Sequence, residues 1–195
     1  MIEVLDAHQW LAYQGRGFPL GSWKDKNGAL CADPAAARID LISHQSYRNF
    51  LLTFEFSLAL GGNAGVLYRV PESWPESWQG GPELQLLDDA NHPDGQNPLT
   101  TNGALYGLLA PTQSTPIEPG EYRKGRLIVR DNEVEHWLDG RRVLRYNLQD
   151  PALRHAIAQS KFKGNPEFGL KEGHIVLQHH GDEVCFRLLQ IEAFP

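Results

Sequence analysis

The stretch YRNFLLTFEFSLAL, residues 47–60, constrains this chain more than any other. Phe50, Leu52, Phe54 and Phe56 recur in steps of two. That spacing puts all four side chains on one face only if the backbone is an extended strand. So much aromatic surface on one side of a strand must be covered by a second layer. The chain is therefore expected to build at least two packed layers from strands.

Other segments repeat the pattern. Residues 63–70 (NAGVLYRV) follow a turn at Gly61-Gly62 and read as a strand, as do residues 83–87 and 104–109. Residues 126–130 and 133–138 read as a hairpin through Asp131-Asn132, continued past Asp139-Gly140 into residues 142–146. Such pairs favour the positive φ angles of tight turns. Residues 174–179 and 183–193 form a last hairpin around Gly181-Asp182. One segment departs from alternation. Asp150 before Pro151 is a helix cap followed by proline at the first helical position, so residues 152–160 read as a short helix. Residues 71–82 and 88–102 are long loops rich in Pro, Gly, Asn and Trp, and loops of that length often line functional sites. Many strands in hairpin order with one short helix predict an all-β, jelly-roll β-sandwich, a single domain spanning residues 1–195.

Charge narrows the partners. Lys plus Arg number 18 against 24 for Asp plus Glu, a formal net charge of -6, which argues against nucleic acid because phosphate binding needs a basic surface. No run reaches the ~18 apolar residues of a membrane-spanning helix. The N-terminus lacks the basic and apolar regions of a signal peptide, so the chain reads as cytosolic unless a leader has been removed. Cys31 and Cys185 have no metal-ligand spacing. They read as reduced, buried thiols, with a disulfide as the alternative.

Strand parity sorts the polar side chains. Leu84 and Leu86 take one face of their strand, leaving Glu83 and Gln85 on the other. Val66 and Tyr68 oppose Gly65, Leu67 and Arg69; Gln178 and His180 face the same way. His136 shares parity with apolar Val134 and Leu138, so its side is ambiguous. Arg69, Glu83, Gln85, Gln178, His180 and His136 are thus candidates for one polar surface, provided their strands are neighbours. Each alone is commonly just a solvated or packed residue. Trp74 and Trp78 read equally well as a sugar-stacking platform or as the interior of their own loop. Residues 88–94 (DDANHPD) offer oxygen ligands for a hard cation but lack the EF-hand register.

The ordered motifs GPELQLLDD, NGALYGLLAP, VEHWLDGRRV, SKFKGNPEFG, GHIVLQHHG and VCFRLLQIEAF together resemble the 3-keto-disaccharide hydrolase family. The resemblance begins near GSWKDKNGAL and runs to the last strand. It implies a concanavalin-A-like, LamG-like jelly roll acting on glycosides oxidised to a ketone at C3. The family-like polar positions are Arg69, Glu83, Gln85, Asp88, Tyr106, His136, Lys161, Gln178, His180 and Arg187. Two positions depart from the family pattern: His179 stands where Asp is common, and Leu188 where Asn is common.

A C3 ketone acidifies the hydrogen on C2, so elimination of the C1 substituent and rehydration would replace ordinary glycosidase chemistry. That route needs a base, an acid and a group that stabilises the enolate. The expected assignment is Glu83 as base and His136 or His180 as acid, with Arg69 or Lys161 on the enolate oxygen. Gln85, Tyr106 and Gln178 would orient sugar hydroxyls, with Asp88 and Arg187 as further substrate contacts. A divalent cation could replace the basic stabiliser. The competing expectation is a non-catalytic carbohydrate-binding module on the same fold.

Overall fold

Thirteen strands and two short helices make up residues 2–195, which a computed structural model describes. The strands are β1 (Ile2–Val4), β2 (Trp10–Ala12), β3 (Trp23–Lys26), β4 (Ala29–Ala32), β5 (Leu41–Tyr47), β6 (Phe50–Leu58) and β7 (Asn63–Val70). They continue as β8 (Glu83–Leu87), β9 (Arg123–Arg130), β10 (Glu133–Leu138), β11 (Arg141–Asn147), β12 (Gly173–Leu177) and β13 (Val184–Ala193). The helices are α1 (Ser77–Gly80) and α2 (Pro151–Gln159). One sheet runs β11-β10-β9-β6-β13-β4-β3, with β1 also on β13; the other runs β2-β5-β12-β7-β8. The result is the jelly-roll-like β-sandwich that alternation predicts.

The core is the inner face of both sheets. Phe50, Leu52, Phe54 and Phe56 from β6 meet Val66 and Tyr68 from β7, Leu84 and Leu86 from β8, and Ile175 and Leu177 from β12. Removing one such phenylalanine side chain costs about 3–5 kcal/mol. β6 alternates buried and half-buried residues along its length, as a one-sided strand must. β7 and β8 are buried at every residue. Their outer faces are therefore covered too, and that cover forms the walls of a cleft.

Four expectations change. Residues 174–179 and 183–193 are not a hairpin: β12 lies between β5 and β7 in the five-stranded sheet, whereas β13 crosses to the eight-stranded sheet between β6 and β4. Residues 47–60 are not one strand: β5 ends at Tyr47 and β6 begins at Phe50 in the opposite sheet. The corner between them is held by polar groups. Arg69 donates to the Arg48 carbonyl, and the Asn49 side chain accepts from the Asp131 amide and donates to the Pro195 carbonyl. Residues 104–109 form turns rather than a strand, with Leu105 bridging only to Leu84 and Leu109. Gly103 and Gly107 flank it at positive φ, which breaks extension. Finally, Cys31 and Cys185 are disulfide-bonded rather than reduced. They sit directly opposite each other on β4 and β13, a proximity hidden by their separation of 154 residues.

Candidate active site

The cleft lies on the outer face of the five-stranded sheet, has a volume of about 320 Å³, and gathers side chains from seven separate segments. β8 supplies Glu83 and Gln85, and the chain just beyond β12 supplies Gln178 and His180. Asp40 precedes β5 and Asn63 starts β7. Trp78 comes from α1, Tyr106 from the turns after β8, and Lys161 from just past α2.

Local sequence fixes each position. Glu83 and Gln85 point outward because Leu84 and Leu86 occupy the core. The Glu83 side chain lies across Gly65 on neighbouring β7; a Cβ built there would sit 2.2 Å from Glu83 Oε1. Only glycine leaves that room. The Tyr106 amide donates to the Glu83 carbonyl at 3.1 Å, tying the two residues together. Lys161 is set by α2: Asp150 accepts from the amides of Ala152 and Leu153, Pro151 occupies the first turn, and Leu153 and Ile157 anchor the buried face. Its ammonium then lies 4.3 Å from the centre of the Tyr106 ring and 4.7 Å from that of Trp78, within cation–π range.

Of the polar side chains here, Glu83 and Gln85 are buried, Asp40 and Gln178 half-buried, and Lys161 and His180 exposed. Glu83 is 6% exposed, and its carboxylate accepts no hydrogen bond and makes no ion pair among the described residues. Burial raises its pKa to about 8, against a lowering by Lys161; Asp40 and Asp94 push it further up. Asp40 is raised to about 6, chiefly by burial. Unlike Glu83, it accepts two hydrogen bonds, from the Ser77 hydroxyl and from the His179 amide at 2.8 Å. Partial desolvation lowers the Lys161 ammonium and, with Arg38 nearby, the His180 imidazole. The Gln85 amide donates to the Thr100 carbonyl, but Gln85 Oε1 and Gln178 Oε1 have no partner. An unmade bond to a buried acceptor costs about 1–3 kcal/mol, so both oxygens are suited to a ligand's hydroxyl groups.

Six of the ten sequence candidates meet here: Glu83, Gln85, Tyr106, Lys161, Gln178 and His180. The other four do not. His136 is fully buried in the opposite sheet, between the Gly103 carbonyl at 3.0 Å and the Tyr146 hydroxyl at 3.1 Å. Tyr146 bonds on to Tyr68, so these groups form a polar chain through the core. Burial drops the His136 pKa to about 4. The parity shared with Val134 and Leu138 pointed to this inward placement. Arg69 is buried with every guanidinium nitrogen donating to a backbone carbonyl, of Arg48, Gly169 or Asp131. Asp88 accepts from the Gly61 amide and Asn91 side chain and so ties down its loop. Arg187 pairs with Glu55 at 2.7 Å on the eight-stranded sheet and stacks on Tyr122.

Sequence parity missed Arg38, Asp40, Asn63 and Glu76, which also line the cleft. The usable signal lay in LISHQSY, an unrecognised strand whose first residue follows Asp40. Of the two tryptophans, Trp78 walls this cleft, whereas Trp74 lines a separate hollow beside Arg69. Among the described residues no three His, Cys, Asp or Glu side chains converge as ligands.

Residues 4–192 match the model of the 3-keto-alpha-glucoside-1,2-lyase-like domain. The chain belongs to this family. A 3-keto-disaccharide hydrolase from Bacteroides thetaiotaomicron is 29% identical, over 79% of this chain and 61% of the relative. The chain thus spans about three-fifths of that protein. A candidate glycosyl hydrolase from Parabacteroides distasonis superposes with a TM-score of 0.90 at 24% identity, covering 100% of this chain and 94% of the other. The carbohydrate-binding module CBM66 from Bacillus subtilis reaches a TM-score of 0.62 at 13% identity, covering 96% and 97%. These two likenesses concern the fold alone.

Proposed function

We propose that this protein cleaves glycosides whose sugar ring carries a ketone at C3, by loss of the C2 proton, elimination at C1 and rehydration. The observation that carries this reading is Glu83, a buried carboxyl on the cleft floor with no protein hydrogen bond. It shares the cleft with the ammonium of Lys161 and two unpaired amide oxygens. A group with a pKa pushed toward neutrality is fit to move protons. Lys161 is the cation for the developing enolate oxygen at C3; such electrostatic support is commonly a large share of catalysis. Gln85 and Gln178 present acceptors to sugar hydroxyls, and Trp78 offers an apolar wall for the ring. Family membership and the 3-keto-disaccharide hydrolase relative point to the same chemistry.

His180 is poorly suited to the acid role given to it by sequence. Its imidazole is held below its ordinary value of 6.5, so it is mostly neutral at pH 7. It is placed instead to hold a hydroxyl at the cleft mouth. A carbohydrate-binding module needs an aromatic wall and amides but no buried, perturbed carboxyls, so Glu83 and Asp40 favour an enzyme. The test compares cleavage of 3-keto-trehalose and 3-keto-lactose with that of the unoxidised disaccharides, for wild type and Glu83→Gln. Wild type should cleave only the oxidised sugars, and Glu83→Gln should lose ~10²–10⁴ of that rate while staying folded. Normal turnover in Glu83→Gln removes this residue from the reaction; binding without cleavage of any sugar returns the protein to a binding module.

A further inference from the structure

We infer that Asp40 is the base that removes the C2 proton and that Glu83 is the acid that protonates the leaving group; this rests on the reaction proposed above. Both carboxyls line the same cleft. Their surroundings differ in kind. The Ser77 hydroxyl and the His179 amide each donate to one oxygen of Asp40, and hydrogen bonds to a carboxylate favour its ionised form. Glu83 has no such donor and its side chain is packed across Gly65, so the neutral form is favoured there. The Asp40 charge raises the proton affinity of Glu83, so the two carboxyls hold one proton between them over a range of pH. The hydrogen bonds assign that proton to Glu83. The ordering of the pKa values, about 6 for Asp40 and about 8 for Glu83, agrees.

The chemistry closes. Asp40 takes the proton from C2, and the C–H electron pair forms the enolate, with its negative oxygen at C3 facing Lys161. The enolate collapses, the C1–O bond breaks, and the departing oxygen takes the proton of Glu83. This leaves an enone with a double bond between C1 and C2. Water then adds to C1 while giving a proton to Glu83, and half-buried Asp40, its proton by then exchanged with solvent through the open cleft, protonates C2. Both carboxyls end as they began, and the net reaction consumes one water.

The test separates proton removal from cleavage. The probe is 1,5-anhydro-3-keto-glucitol, which has the ketone but no C1 leaving group, incubated with enzyme in D₂O. Exchange at C2 is followed by NMR, alongside cleavage of 3-keto-lactose. Asp40→Asn should lose both exchange and cleavage by ~100-fold or more. Glu83→Gln should lose cleavage but retain exchange within a few-fold. Exchange that survives Asp40→Asn, or vanishes only in Glu83→Gln, overturns the assignment. Wild type that neither exchanges nor cleaves any 3-keto sugar instead overturns the underlying function. Ser77→Ala provides a variant that leaves both carboxyls in place. Losing this donor should move the low-pH limb of exchange upward, and an unmoved limb counts against Asp40. The titratable and charged groups around Asp40 are Tyr13 just past β2, Glu76 before α1, Glu83, His179, His180, Lys161 and Arg38. None of them bonds to Ser77.

Discussion

Two carboxyls in one cleft behave differently because their nearest donors differ. That makes the pH profile a residue-scale prediction. Asp40 is active when ionised, so kcat/KM for a 3-keto-disaccharide should rise with pH through about 6. Glu83 is active when protonated, so the rate should fall through about 8. These limbs belong to the coupled pair. A rate that instead climbs through pH 8 would make Glu83 the base. Stability has its own sign. The folded-state pKa of Glu83 lies above its ordinary value of 4.5. Its contribution is present in full below about 4.5 and is lost as pH rises through about 8. Glu83→Gln should therefore gain thermal stability over wild type at pH 8.5 and little at pH 5, as read by paired melts. Equal shifts at both pH values would mean that the carboxyl is not buried as described.

At the scale of elements, strand parity was the legible part. Alternation placed Leu84 and Leu86 inside with Glu83 and Gln85 outside, and put Gln178 on the same outer side as His180. It could not say that β8, β7 and β12 are neighbours, because sheet order is a long-range property. It also missed Asp40, which lies at the edge of a strand whose consecutive exposed residues His44, Gln45 and Ser46 hide its alternation. His136 shows the opposite fault: its parity with Val134 and Leu138 was sound, and a polar side chain drew it outward. The core instead satisfies both ring nitrogens. His136→Leu should leave the Gly103 carbonyl and the Tyr146 hydroxyl short of a partner. The expected cost is about 1–3 kcal/mol in denaturant unfolding, with turnover retained. A loss of turnover in a fully folded variant would tie β10 to the cleft.

For the whole molecule, the sandwich supplies rigidity and the loops supply the site. Two sheets share one core, and loops laid over β7 and β8 turn a sheet face into a cleft. The Cys31–Cys185 bridge staples β4 to β13 within the eight-stranded sheet, closing a very long loop. A cross-link of that kind typically stabilises by about 2–4 kcal/mol. Cys185→Ser should lower stability by that order, with kcat on a 3-keto-disaccharide unchanged. A fall in kcat at a temperature where the variant remains folded would show that the eight-stranded sheet is coupled to the cleft.

Two carboxyls in one cleft also describe an ordinary glycosidase, so the central claim is that the C2 hydrogen leaves during cleavage. The most direct measurement is an early NMR time course of 3-keto-lactose cleavage in D₂O, observing C2 of the released keto-sugar. Elimination and rehydration predict solvent deuterium at C2 in the first product formed. Product that keeps its original hydrogen at C2 would mean direct displacement at C1, and would contradict the mechanism.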